Sequence, residues 1–345
     1  MTIRNSLFAT VAISGLLAVA TAGSAHAAGR LNVICSADNE WCEMMETAFE
    51  LEHDIDVSMV RKSSGEAYAQ VRAEAANPKL DVWWAGTGDP HLQAAAEGLT
   101  EEYQSPQLGN LNDWAVRQAK NSGNRTVGVY AGALGIGYNN DLLTKKGLPA
   151  PKCWEDLKDP AYKGEIQMAN PNSSGTSYTA LATLVQIFGE EKAFDLLKEM
   201  HKNVNQYTKS GSAPIKAAAV GETTIGITFM HDMVAQIKQG ANLTVVSPCE
   251  GTGYEVGSMS IIKGARNLEN AKIWYEFALD PRTQSIAEDA HSYQVPSNKE
   301  SKIPDGAPRL SELKLIDYDF AKYGDAETRR HLLSRWDDEV KTAPQ

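Results

Sequence analysis

The stretch SSGEAYAQVRAEAANPKLDVWWAGTGD, Ser63–Asp89, decides the fold class. Two small hydroxyls and a glycine open a helix that ends near Asn77-Pro78, where proline cannot continue the hydrogen-bond ladder. Leu80–Trp84 is apolar and short enough for a strand, and Ala85-Gly-Thr-Gly-Asp-Pro90 is a glycine-rich loop before the next helix. Upstream the same order recurs. Arg30–Ile34 reads as a strand, and Asn39–Leu51 carries Trp41, Met44, Met45, Ala48 and Phe49 at helical spacing. Ile55–Val60 alternates with period two, as a strand does. This βαβα rhythm predicts a parallel sheet with ligand-facing loops at the carboxyl ends of its strands.

Downstream, Thr126–Tyr130 and Ala133–Tyr138 read as two strands, and Pro149–Gly164 as a proline-punctuated connector with a short helix. Glu165–Ala169 is a strand that feeds NSSGTSYTAL, Asn172–Leu181, whose helix runs to about Gly189. Lys192–Val204 and Ala213–Val220 are predicted helices, Thr224–Phe229 a strand, and Leu243–Val246 and Gly257–Ile262 further β elements before a mainly helical tail. No repeat or low-complexity linker interrupts the chain, which argues for two intertwined α/β lobes rather than two separate beads.

The N-terminal segment fits a secretory signal: Arg4, the apolar run Leu7–Ala20, and Ala25-His26-Ala27 as a cleavage site. Loss of Arg4, the only charged residue in that segment, takes the formal charge from -11 to -12. So acidic a chain lacks the clustered Lys and Arg that phosphate-backbone neutralisation requires, and nucleic acid is not an expected partner. Four cysteines in an exported chain point to disulfides, with Cys35–Cys42 as a local bridge and Cys153–Cys249 as a long-range one. No cysteine or histidine spacing here suggests a zinc site, and neither a metal nor a cofactor is expected.

The hydroxyl-rich helix starts carry the first chemical signal. A helix N terminus presents unpaired N–H groups and partial positive charge, so Ser173, Ser174, Gly175 and Thr176 suit a phosphate, phosphonate or carboxylate. Ser36, Ser64 and Thr87 fall in loops at the same predicted sheet edge and supply an opposing set of donors. These residues are also ordinary caps, and that plainer role stands beside the anion-binding one. His231 and Asp232, directly after a strand, and Glu255, after Gly251-Thr-Gly253, are candidates for sugar hydroxyls; a packed histidine, a capping aspartate and a solvated glutamate are the alternatives. Catalysis has weaker support, because neither a G-x-S-x-G elbow nor an H-E-x-x-H zinc motif is present.

Together Ser63–Asp89, the connector PKCWEDLKDPAYKG, the segment NPNSSGTSYT and GETTIG at Gly221–Gly226 resemble the periplasmic substrate-binding proteins of ABC importers, in the ferric-binding-protein-like group. The resemblance implies a type II periplasmic binding fold: two α/β lobes, a hinge of two crossing strands near Tyr130–Gly135 and Tyr254–Ser258, and a ligand cleft between them. It divides the chain into a signal peptide at 1–27, lobe 1 at 28–131 and 257–297, lobe 2 at 132–256, and a C-terminal helical segment at 298–345 that packs on the lobes. Ferric binders of the group use neighbouring tyrosines, but Tyr207 is followed by Thr208 and Tyr293 by Gln294. His231, Asp232 and Glu255 look instead like the sugar contacts of AfuA-like hexose-phosphate binders, and SSGT with Ser36 and Thr87 like their phosphate cradle. The resemblance thus implies a monomeric periplasmic receptor that delivers a sugar phosphate, with hexose 6-phosphate foremost, to a permease in the inner membrane. A ferric, phosphonate or other small-anion receptor is the alternative, and a phosphosugar hydrolase a lesser one.

Overall fold

The computed structural model describes residues 29–345; the expected signal peptide lies outside them. Its first half follows the βα rhythm of Ser63–Asp89: β1 (Gly29–Cys35), α1 (Asn39–His53), β2 (Ile55–Arg61), α2 (Ser64–Ala73), β3 (Val82–Trp84) and α3 (Gly88–Ala96). After α4 (Asp113–Asn121) come β4 (Val127–Asn139), α5 (Asn140–Lys146), β5 (Ile166–Ala169), α6 (Gly175–Phe188), α7 (Glu190–His201) and β6 (Val204–Thr208). Then come α8 (Ala213–Ala219), β7 (Ile225–Phe229), α9 (Met230–Lys238), β8 (Leu243–Val246), β9 (Tyr254–Ile261) and α10 (Leu268–Leu279). The tail adds α11 (Pro281–Ser285), β10 (Val295–Pro296), α12 (Phe320–Tyr323) and α13 (Ala326–Arg335).

The sheet order is β2-β1-β3-β9-β4-β7-β5-β6. Its two flanks are parallel, as the βα rhythm requires, but the middle is not: β9 runs antiparallel to β3 and to β4, and β4 antiparallel to β7. Those two long strands carry the chain from one flank to the other. Along β4, Val127–Ala133 pairs with β9, and Leu134 onward pairs with β7 and β8.

Alternation explains why the first flank is covered on both faces. Leu31, Val33 and Cys35 of β1, with Val82 and Trp84 of β3, enter a core under α1 and α10; Ile34 and Trp83, pointing the other way, meet Ala67, Val71 and Ala94 of α2 and α3. A separate core forms in the second flank from Leu134, Ile136, Ile166, Tyr178, Phe194 and Ile227, and the C-terminal segment closes it with Tyr318, Leu332 and Trp336.

Three local expectations are corrected. Thr126–Tyr130 and Ala133–Tyr138 belong to one strand, because Gly132 between them and Gly135 within the second serve close packing rather than a turn. A Cβ at Gly132 would collide with the His231 ring, and one at Gly135 would lie 2.8 Å from Met230 Cγ. The helix expected to reach Val204 stops at His201: Asn203 turns its side chain to Leu157 O (2.9 Å) and Asp159 O (2.8 Å), which frees Val204 to pair with Ile166 in β6. In the tail, residues 286–319 are largely irregular, and β10 inserts there as a short antiparallel partner of β4.

Both disulfides are present, Cys35–Cys42 across 7 residues and Cys153–Cys249 across 96. The entropy of the unfolded chain scales with loop length, so Cys153→Ala/Cys249→Ala is expected to remove about 4.7 kcal/mol of stability and Cys35→Ala/Cys42→Ala about 2.5 kcal/mol. Guanidinium unfolding of the two double variants checks this ranking, and a larger loss from the short loop contradicts it.

Candidate functional site

A cleft lies between the two flanks. Several helices present their N termini to it. Thr87 and Ser63 sit at the caps of α3 and α2, Ser174 caps α6, and α9 begins at Met230 beside it. Glycine sets the spacing: a Cβ on Gly175 would overlap Thr87 Oγ1, so the starts of α3 and α6 meet face to face across the cleft.

Of the expected phosphate ligands, Ser36, Ser64, Thr87, Ser174, Gly175 and Thr176 all line this cleft. Ser64 Oγ accepts from the Thr87 N–H at 3.1 Å, and Ser36 Oγ from Trp83 Nε1 at 3.0 Å. Thr87 is only 2 % exposed, and its hydroxyl has no partner among the described residues. A buried hydroxyl left unpaired is costly unless a ligand satisfies it. Ser173 is placed differently. It lies off the cleft wall, where its hydroxyl donates to Asn170 O (3.2 Å) and Lys209 O (3.1 Å), and its carbonyl accepts from Gly65 N–H at 3.0 Å.

The expected hydroxyl readers also meet here. His231 stacks on Phe229, with ring centroids 5.3 Å apart, and its Nε2 lies 3.5 Å from Asp232 Oδ1 and 3.8 Å from Glu255 Oε1. Burial pushes the His231 pKa down to about 3, so the ring is neutral. Burial and the nearby Asp38 charge push Asp232 up to about 7, although Thr228 donates to Asp232 Oδ2 at 2.6 Å. Glu255, 3 % exposed, rises well above its ordinary range through burial and the proximity of Asp232 and Asp89. Asp232 does not cap α9; Phe229 holds that position.

Several residues on the cleft wall are not among the expected ligands: Asp38, Arg61, Tyr130, Ser210–Ser212 and His291–Gln294. Some have a signal in the sequence, since Lys209-Ser-Gly-Ser-Ala-Pro214 is a third hydroxyl-and-glycine helix start and Arg61 adjoins the one at Ser63. His291 has none: its φ of 53°, rare for a residue with a Cβ, is set by the surrounding loop. Asp38 and Arg61 tie the two flanks together. Asp38 accepts from Ser212 Oγ at 2.8 Å and Lys216 Nζ at 3.0 Å, and Arg61 Nη2 donates to Ser210 Oγ at 3.2 Å. Burial opposes the Asp38 charge, but Lys216, Ser212 and Arg61 outweigh it and hold its pKa below the ordinary value. With these bonds made, the cleft is closed.

A family model described as bacterial extracellular solute-binding protein matches residues 77–323. An uncharacterized protein of Haemophilus influenzae is 48% identical over 327 residues, covering 94% of each chain. The solved structure of the periplasmic binding protein AfuA from Actinobacillus pleuropneumoniae, with exogenous fructose 6-phosphate bound, is similar at TM-score 0.89 and 48% identity, covering 92% of this chain and 100% of that one. The periplasmic binding protein P5PA is similar at TM-score 0.88 and 38% identity, covering 90% and 99%.

Asp232 fixes a pH dependence. Its native pKa of about 7, against an ordinary 3.8, means that the folded state holds a proton that the unfolded state releases, so its contribution to stability falls as pH rises through that window. Asp232→Asn is expected to change little near pH 4 and to stabilise the ligand-free protein by up to roughly 4 kcal/mol near pH 8. Melting temperatures across this range check it; a gain of the same size at every pH contradicts it.

Proposed function

The chain belongs to the family of bacterial extracellular solute-binding proteins, and on that premise we propose that it is the periplasmic receptor of an ABC importer for sugar phosphates, a hexose 6-phosphate foremost. The observation that carries this reading is the meeting, in one closed cleft, of hydroxyl-rich helix N termini from both flanks with His231, Asp232 and Glu255. A phosphate at the starts of α2, α3 and α6 takes donors from Ser64, Thr87, Ser174 and Thr176, with Arg61 as the nearby cation. Each hydrogen bond to a charged group contributes about 1.5–3 kcal/mol, so three or four supply much of the roughly 8 kcal/mol of micromolar binding. The sugar then reaches His231, Asp232 and Glu255, whose neutral imidazole and carboxyls both accept from and donate to hydroxyls. The fructose 6-phosphate in AfuA, at 48% identity, supports the same class of ligand.

Closure gives the receptor its signal. Asp38, Arg61 and Gly65 bond across the cleft only when the flanks are together, so a loaded receptor presents a different surface to the inner-membrane permease than an empty one. A ferric ligand has less support from the side chains. Two tyrosines line the cleft, but burial and the nearby Glu255 raise the Tyr130 pKa well above its ordinary value, and its hydroxyl already accepts from Gly86 N–H at 3.0 Å.

Titration calorimetry with glucose 6-phosphate and inorganic phosphate tests the division of labour. Thr87→Val is expected to weaken both ligands by roughly 10–100-fold, through one lost bond to the anion. Asp232→Ala is expected to weaken the hexose phosphate alone. An equal loss of both ligands in Asp232→Ala sinks the assignment.

A further inference from the structure

The two ends of the cleft differ in charge, and only one end has its counter-charges in place. Helix N termini and Arg61 make the phosphate end positive. At the other end, Glu255 is 3 % exposed, and among the described residues no group donates a hydrogen bond to its carboxyl. Its nearest cationic candidate, His231 Nε2 at 3.8 Å, belongs to a ring that burial keeps neutral. His231 Nδ1 is itself buried and unpartnered.

Asp232 is little better supplied. Thr228 of β7 gives it one hydrogen bond. The charges around it are Asp38 before α1, Glu255 of β9, Arg61 of β2 and Lys216 of α8. Both of those cations are engaged elsewhere: Lys216 with Asp38 at 3.0 Å, and Arg61 with Ala37 O at 2.9 Å, Ser63 Oγ at 3.4 Å and Ser210 Oγ at 3.2 Å. Two carboxyls thus face the cleft without a partner of opposite charge. An isolated carboxylate is expensive to bury, whereas one paired with an ammonium forms charge-assisted hydrogen bonds about twice as strong as neutral ones.

Resting on the sugar-phosphate reading, we infer that the cleft is built for phosphorylated ligands that also carry an ammonium group, held between Asp232 and Glu255, with phosphorylated amino sugars as the class that spans both ends. A hydroxyl in that place leaves the carboxyls protonated. An ammonium, with three donors, lets them ionise, and the protons they held leave to solvent. An aminoalkylphosphonate offers the same pair of charges on a shorter frame.

Calorimetry on the mature chain separates these cases with glucose 6-phosphate, glucosamine 6-phosphate, N-acetylglucosamine 6-phosphate and 2-aminoethylphosphonate as probes. The expected result is that glucosamine 6-phosphate binds about tenfold or more tighter than glucose 6-phosphate, and that acetylation abolishes the advantage. Paired buffers near pH 6 should show more protons released with the amino sugar than with glucose 6-phosphate. Glu255→Gln should weaken glucosamine 6-phosphate far more than glucose 6-phosphate, so that most of the tenfold advantage is lost. If glucose 6-phosphate binds and glucosamine 6-phosphate binds no tighter, this inference falls and the sugar-phosphate reading stands. If 2-aminoethylphosphonate alone binds, the ammonium site stands and the sugar reading falls. If none of the four binds, both fall.

Discussion

Everything in this cleft depends on one electrostatic constraint, the opposition of helix N termini across a narrow gap. The starts of α3 and α6 approach so closely that Gly175 has no room for a Cβ against Thr87, and α2 stands beside them with Gly65 against the backbone of Asn172 and Ser173. Partial positive charges held this way repel one another, and their N–H groups need acceptors. Protein atoms supply a few: Ser64 Oγ for the Thr87 N–H, and Ser173 O for the Gly65 N–H. An anion with several oxygens would satisfy the rest and turn repulsion into attraction. On the proposed reading, an anion that bridges these helix starts couples capture to closure.

The two crossing strands make that event possible. Because β4 changes partner between Ala133 and Leu134, the flanks share a sheet yet keep separate cores, and a small change in backbone angles there alters the gap between them. The residues proposed to read the sugar sit at the same place. His231 packs on Gly132, Glu255 pairs with Gly132 across the ladder, and Tyr130 holds the Gly86 loop. A ligand that bonds to these side chains contacts the crossing itself.

The architecture was largely legible in the sequence because it is written in local patterns. A short apolar run marked β1, period-two alternation marked β2, a glycine-rich loop marked the turn into α3, and SSG marked two helix starts. What stayed hidden depended on contacts distant in the chain. Gly132 looks like a break in a strand until the His231 ring is seen packed over it. Ser173 resembles Ser174 in every local respect, yet a carbonyl at Lys209 draws its hydroxyl away from the cleft. Asp38 and Lys216, 178 residues apart, form an ion pair that no spacing rule foretells.

Crystals of the mature chain grown with glucose 6-phosphate give the most direct measurement of the central claim. The phosphorus should lie between the N termini of α2, α3 and α6, with its oxygens about 2.7–3.0 Å from Thr87 and Thr176, and the sugar hydroxyls on Asp232 and Glu255. A phosphate held by one flank alone, with the starts of α3 and α6 drawn apart, would contradict the account.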